Sequence, residues 1–248
     1  MHPPRTVRTD GNAPEDSQLV DGHLRAFLDA PRAPQGAVGY APVSWANRFR
    51  LADVPDAGDL PNGRLSREEL YAICRDRPIL HAYVCVMAWG LQGAVPGSGR
   101  NVQAAWANRG EIESRIRALR SGTLGVEQAY DLFRGERAIS GLGPSYFSKL
   151  LHFFFAGRSV PILDQWTARS VNLIAGRPVV RMAGHYPSPL NTGREYVLFC
   201  QTVERIAARA AKAWGFEKVG VGEVETHLFG RGGPKPSPWR AYVKSHSS

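Results

Sequence analysis

The stretch that most restricts the fold is residues 138–149, Ala-Ile-Ser-Gly-Leu-Gly-Pro-Ser-Tyr-Phe-Ser-Lys, which joins two segments of helical periodicity. Two glycines, Gly141 and Gly143, flank one apolar residue, Leu142. Glycine adopts backbone angles, and allows close backbone approach, that other residues resist. A tight turn leading straight into a helix also presents unsatisfied N–H groups, which suit an anion. Leu142 is expected to turn inward and fix the turn, and Ser145 to sit in the first turn of the helix that follows. Against a nucleic acid the anion would be a backbone phosphate. An ordinary interhelical turn has the same pattern, so the glycine pair does not decide between the two.

The surrounding chain reads as mainly α. Ser66 and Glu69 have capping-box spacing and open a helix running to about residue 75. Residues 79–91 form an apolar run that suits a buried helix, although Val84, Val86 and the aromatics leave a strand open. Amphipathic or apolar helices are expected over 111–119, 126–133, 145–155, 165–174, 193–214 and 221–229. Residues 93–99 are rich in glycine and proline and read as a loop. Hairpin signals are scarce. Residues 1–36 read as a flexible N-terminal segment with a possible short helix over 18–28 and a linker over 31–36; residues 37–248 read as one helical domain.

Charge points toward a polyanion. The chain of 248 residues carries 31 Lys and Arg against 22 Asp and Glu, a net +9. Residues 1–36 hold four basic and five acidic side chains, so the excess lies on the globular part. Each phosphate contact releases counterions, which favours DNA as partner; an arginine-rich genome would give the same bias. No apolar run reaches the length of a membrane span, about 18 residues. The three cysteines, Cys74, Cys85 and Cys200, lie far apart without metal-ligand spacing. A reduced intracellular protein without a metal or cofactor is expected, and no secretory leader is apparent.

After the second helix the chain runs Arg158-Ser-Val-Pro-Ile-Leu-Asp164 into a helix that begins Gln165-Trp166. Asp164 therefore occupies a helix N-cap, a sufficient role on its own. Taken together, the hairpin 141–143, the proline-bearing loop and Asp164 resemble the helix-hairpin-helix DNA glycosylase superfamily over residues 139–174. The stretch Pro161-Ile-Leu-Asp164 is similar to the loop-and-aspartate element of its adenine-excising branch. The interval from Gly143 to Asp164 is similar to that of the 8-oxoguanine-excising branch. The phrase 141–149, with Val224-Glu-Thr-His-Leu-Phe229 near the C-terminus, resembles bacterial proteins of the 8-oxoguanine glycosylase fold.

This resemblance implies helical subdomains flanking an active-site cleft, double-stranded DNA as partner, a monomer, and a bacterial-type cytoplasmic, nucleoid-associated setting. It also implies a mechanism. The nucleotide is flipped out of the stack, and a fixed carboxylate, here Asp164, stabilises the oxocarbenium character that develops at C1′. Bifunctional members add a lysine that forms a Schiff base and permits strand cleavage. In the 8-oxoguanine branch that lysine stands two residues after the second hairpin glycine, where this chain has Ser145. Lys149 lies four residues further on, on the same helical face. Burial among aromatics would lower its pKa toward a usable nucleophile; a phosphate contact at the hairpin is its alternative role, with water then the nucleophile. A non-catalytic module that recognises modified DNA is a third reading.

Softer candidates follow from position alone. Gln165, Trp166, His152, Phe153 and Trp89 are candidates for the base pocket, although Trp89, Trp166 and also Trp106, as tryptophans, more often belong to a core than to a stacking surface. Arg100, Arg109, Arg115, Arg117 and Arg120 form a basic stretch that could track phosphates or simply face solvent. His185 reads as an intrusion residue or a surface histidine. Three scattered cysteines exclude the four-cysteine iron–sulfur site that some glycosylases of this superfamily carry.

Overall fold

The computed structural model describes residues 19–32, 35–90, 99–230 and 237–247. Residues 93–98 of the predicted 93–99 loop and the polar lead over 1–16 lie outside them. The first helices are α1 (Asp21–Asp29), α2 (Pro42–Arg48), α3 (Arg67–Asp76), α4 (Ile79–Gly90), α5 (Arg100–Ala107) and α6 (Arg109–Arg120). After them come α7 (Val126–Asp131), α8 (Pro144–Phe154), α9 (Gln165–Ala175), α10 (Gly193–Trp214), α11 (Val221–Phe229) and α12 (Pro238–His246). A two-stranded hairpin, β1 (Met182–Ala183) and β2 (Tyr186–Pro187), separates α9 from α10. The mainly helical fold class holds.

Local rules account for the helix starts. At α3, Ser66 Oγ accepts from the Glu69 amide at 3.2 Å, and the Glu69 carboxylate accepts from the Ser66 amide at 2.7 Å. At α10, Thr192 and Glu195 form the same reciprocal pair, and Asp131 accepts from the Gly193 amide at 2.9 Å. The sequence left residues 79–91 open between helix and strand, and the described part, Ile79–Gly90, is helix α4. Every residue from Ile79 to Trp89 is buried. A helix satisfies its own backbone in such a setting, whereas a strand of that length would need neighbours to pair with. Around α4 pack α2, α3, α6 and α8.

A second group gathers α1, α9, α10, α11 and α12, with α7 lying on α10. Helix α8 touches both groups through α4 and α7, and so lies at their junction. The predicted N-terminal helix exists as α1 and is built into this second group. Leu24 and Phe27 are buried, Phe27 packs against His227 and Trp239, and the Trp214 indole donates to the Leu28 carbonyl at 3.1 Å. The short α2, α5 and α12 were not anticipated. Helices α2 and α12 begin with proline in the first turn, and Ser237 caps α12.

The glycine turn divides its work unequally. Gly141 has φ +81°, and a Cβ there would collide with the Asn101 backbone carbonyl of α5. Leu142 is buried, with its amide donating to the Ile139 carbonyl at 3.0 Å. Gly143 has ordinary extended angles, is the N-cap of α8, and would give a Cβ open space. Gly141→Ala combines a left-handed backbone with a backbone clash. It is expected to lower unfolding stability by about 2–3 kcal/mol or more in urea titration, with Gly143→Ala costing less than about 1 kcal/mol.

The hairpin β1–β2 carries too few ladder bonds to be visible as strands in the sequence. Side-chain amides hold it instead. Asn191 accepts from the Arg181 amide and donates to the Arg181 and Ser188 carbonyls, each at 2.8 Å. Asn172 accepts from the amides of Val179 and Val180, both at 2.9 Å.

Candidate active site

A cavity of about 640 Å³ opens where the end of α4, the first turns of α8 and α9, α11 and the hairpin converge. That size suits a small-molecule-sized ligand. Lys149, Asp164, Ser145, Gln165, Trp166 and Trp89 all line it, so the separated sequence candidates from three helices share one space. Gly143 also reaches the rim; Gly141 and Leu142 lie behind it, in contact with α5 and the core.

Lys149 is 7% exposed. The Nζ group donates to the carbonyl of Ser145, one turn back, and lies 5.4 Å from the centre of the Tyr146 ring. Gly90, the last residue of α4, makes room for the lysine stem: a Cβ at Gly90 would lie 2.5 Å from Lys149 Cδ and Cε. Burial pulls the ammonium pKa below the ordinary lysine range, against the pull of Asp164 and Glu225, and Arg67 lowers it further. The helix thus delivers an amine that gives up its proton more readily than a surface lysine.

Asp164 caps α9. Its Oδ1 accepts from the amides of Trp166 at 2.8 Å and Thr167 at 2.9 Å, and Thr167 Oγ1 accepts from the Asp164 amide at 2.9 Å. The capping role is therefore real, and it leaves the carboxylate held rigidly against the cavity. Burial raises its pKa above the ordinary aspartate range, against Lys149 and the two amide bonds, which favour the anion. No Lys149–Asp164 salt bridge forms, yet each shifts the titration of the other.

A second polar set, not assigned from sequence, is centred on Arg67. Its Nη2 lies 2.8 Å from Glu225 Oε2. Its Nε and Nη2 donate to Gln35 Oε1 at 3.2 and 2.9 Å, and its Nη1 lies 2.7 Å from His152 Nε2. Arg67, Glu225 and Gln35 all line the cavity. Arg67 showed in the sequence only as an unremarkable member of a capping box. Glu225 lay inside the 224–229 phrase without a role, because one-turn helical spacing does not reveal which side chain reaches a cavity.

His152 and Phe153 do not reach the cavity surface. His152 is buried, with Nδ1 2.6 Å from the Val160 carbonyl and Nε2 also 2.8 Å from the Tyr71 hydroxyl. Burial and the nearby Arg67 push its pKa down to about 3, so it stays neutral and braces Arg67. Phe153 packs edge-on against Trp89 at 5.3 Å, behind the wall. Trp166, which does line the cavity, has Arg240, Arg169 and Lys244 over its ring at 4.6, 5.2 and 5.6 Å.

Trp106 belongs to the core, its indole donating to the Ala52 carbonyl at 2.9 Å. Much of the basic stretch also serves the fold. Arg115 donates to the carbonyls of Leu132 and Arg137, and Arg120 to that of Cys74. Arg109 and Arg117 pair with Asp53 and Glu113. His185 is exposed at the hairpin tip.

Among the described residues no group of His, Cys, Asp and Glu is placed to hold a metal ion, and no helix is long and apolar enough to cross a membrane. Searches of curated proteins and of solved structures find no match. A family model described as "Putative 8-oxoguanine DNA glycosylase OGG-like protein" matches residues 31–229. That span contains the glycine turn, Lys149, Asp164 and the Arg67 set, and the chain belongs to the OGG-like DNA glycosylase family.

Proposed function

We propose that this chain excises an oxidised purine from double-stranded DNA, with 8-oxoguanine the leading substrate, and that Lys149 and Asp164 carry the chemistry. The observation that carries this reading is the pairing, in one cavity, of a buried lysine whose ammonium is destabilised with a rigidly capped carboxylate. In this reading the base is flipped into the cavity. The neutral Lys149 amine attacks C1′ as the N-glycosidic bond breaks, and the bonding pair leaves with the base, which is then protonated. Asp164 stabilises the positive charge that develops on the sugar. Ring opening gives an iminium on Lys149, and loss of the proton at C2′ expels the 3′ phosphate. In a second reading water attacks instead; the hydrogen bond from Lys149 Nζ to the Ser145 carbonyl favours it, by holding the amine against the helix.

Base release and strand cleavage on lesion-bearing duplexes, before and after alkali, test the proposal. Nicking without alkali and a borohydride-trapped adduct support the lysine route; nicking only after alkali supports water. Release of no base from any lesion would overturn both.

The burial and charge environment of the pair predicts a pH profile. Both Asp164 and Lys149 act in their deprotonated forms. Excision should therefore fall on acidification at a pH above that of an ordinary aspartate, because the Asp164 carboxyl is raised. It should level off at alkaline pH below the ordinary lysine range, because Lys149 is lowered. A flat single-turnover profile across that interval would contradict the assignment.

A further inference from the structure

Helix α12 lies beyond the residues that the family model covers, yet its Arg240 lines the cavity. Trp239 and Val243 fasten the helix: both are buried, and the Trp239 indole donates to Ser170 Oγ of α9 at 3.0 Å. Arg240 and Lys244 stand one residue further on, at i and i+4, and so share the adjacent face. Both come over the ring of Trp166, with Arg240 Cζ 4.6 Å and Lys244 Nζ 5.6 Å from its centre. Arg169, one turn along α9 from Trp166, adds a third cation at 5.2 Å.

Three positive charges around one ring repel one another. A cation–π contact at a partly exposed site is weak and neutralises nothing. Carboxylates do not answer the charge. Neither α9 nor α12 contains an acidic residue, and among the described residues Arg169 and Lys244 have no carboxylate within ion-pair distance. Carbonyls aim two of the three cations instead. Arg169 Nε and Nη2 donate to Ser247 Oγ and to its carbonyl at 3.0 and 3.1 Å, and Arg240 Nε and Nη2 donate to the Phe229 carbonyl at 3.2 and 2.7 Å. Such bonds orient a guanidinium and leave its charge in place. Lys244 is exposed, and its Nζ has no acceptor among the described residues. The cluster lies close to the carboxylate of the site. Trp166 stands two residues after Asp164, both line the cavity with Arg240, and Arg240 favours the Asp164 anion.

We infer that Arg169, Arg240 and Lys244, gathered on Trp166, bind a DNA backbone phosphate that flanks the target nucleotide. The inference rests on DNA as the family's partner and on Asp164 facing the sugar, and it adds a binding site on a helix outside the matched span. A phosphate flanking the target is one furanose away from C1′, so its charge falls next to a carboxylate that addresses C1′. Two guanidinium groups and an ammonium suit its unesterified oxygens. Gripping that phosphate holds the sugar against Asp164 whatever base is attached, because phosphate contacts position without reading sequence.

The test measures binding of the full chain to duplexes carrying one tetrahydrofuran abasic analogue, so neither a base nor excision enters. A neutral methylphosphonate replaces in turn the phosphate 5′ to the analogue, the one 3′ to it, and a distant one. In the wild type one of the two flanking replacements should weaken binding at least about fivefold. Lys244→Gln should weaken binding to the all-phosphate duplex at least about threefold and reduce the slope of log K against log[salt] by about 1. In that variant and in Arg169→Gln the sensitive replacement should cost at least about threefold less than in the wild type, whereas the distant one should cost all three proteins the same. Lys244→Arg, which keeps the charge, should bind within about twofold of wild type. Equal cost of the flanking replacements in wild type and Lys244→Gln, or an unchanged salt slope, would overturn the site and leave the cations as a seam between α9 and α12. A loss in Lys244→Arg as large as in Lys244→Gln would overturn it too, since shape rather than charge would then matter. Each of these failures leaves the excision chemistry standing, whereas a wild type that binds no duplex would overturn the site together with the DNA glycosylase reading.

Discussion

Lys149→Ala is expected to abolish the borohydride-trapped protein–DNA adduct and alkali-independent nicking, lowering single-turnover strand cleavage by about 10³-fold or more. Removing a nucleophile costs most of an enzyme's rate, because no neighbouring group replaces the covalent step. The fold should survive. Lys149 makes its hydrogen bond to a helix carbonyl within its own helix, and its ammonium is held in a setting that penalises charge. Linkage gives an independent check on that burial. A lysine whose folded pKa is depressed binds fewer protons folded than unfolded, so stability rises with pH between the depressed value and the ordinary lysine value. The wild type should show that gain relative to Lys149→Ala, and below the window the stability difference should favour the variant. An adduct that persists in Lys149→Ala would move the nucleophile elsewhere, and a variant that keeps nicking after alkali would support water as the attacking group.

Much of the helical scaffold was legible because its signals are local. The Ser66 and Thr192 caps, the apolar stripe of α6 and the glycine ends of helices each act within a few residues. Two glycines two positions apart looked equivalent, yet Gly141 alone needs its missing side chain, because the reason lies in Asn101, forty residues upstream. The hairpin β1–β2 was unreadable for a related reason: Asn172 and Asn191 supply what ladder bonds would. At the site, Asp164 and Lys149 could be singled out because motif and spacing both point to them. His152 shares a helix with Lys149, which made it a pocket candidate; the 100° turn per residue carries its ring toward Val160 and Arg67 instead. Gln35, Arg67 and Glu225 come from a loop and two helices distant in sequence, and only packing brings their polar ends to one cavity.

Asp164→Asn separates the two roles that this residue combines. Asparagine is as good an N-cap as aspartate, so the bonds from the Trp166 and Thr167 amides can be kept and α9 should hold its place. Asp164→Ala would lose about 1 kcal/mol of cap and confuse the result. Charge is what the asparagine removes. Without a carboxylate beside C1′ the developing sugar cation is unsupported, and excision should fall by about 10³-fold, while affinity for lesion-bearing duplex stays within a few-fold. Stability should move the other way. A carboxyl whose folded pKa is raised binds its proton more tightly folded than unfolded, so stability falls as pH rises from the ordinary aspartate value to the raised folded value and stays lowered above it. The neutral asparagine avoids that cost, and the variant should be at least as stable as wild type near neutrality. The stability difference should vanish on acidification, as wild-type Asp164 takes up its proton. In the same interval wild-type excision should decline toward the rate of the variant, since a protonated aspartate and an asparagine are electrostatically alike. Excision within tenfold of wild type in Asp164→Asn would leave Asp164 as a helix cap and remove it from the mechanism.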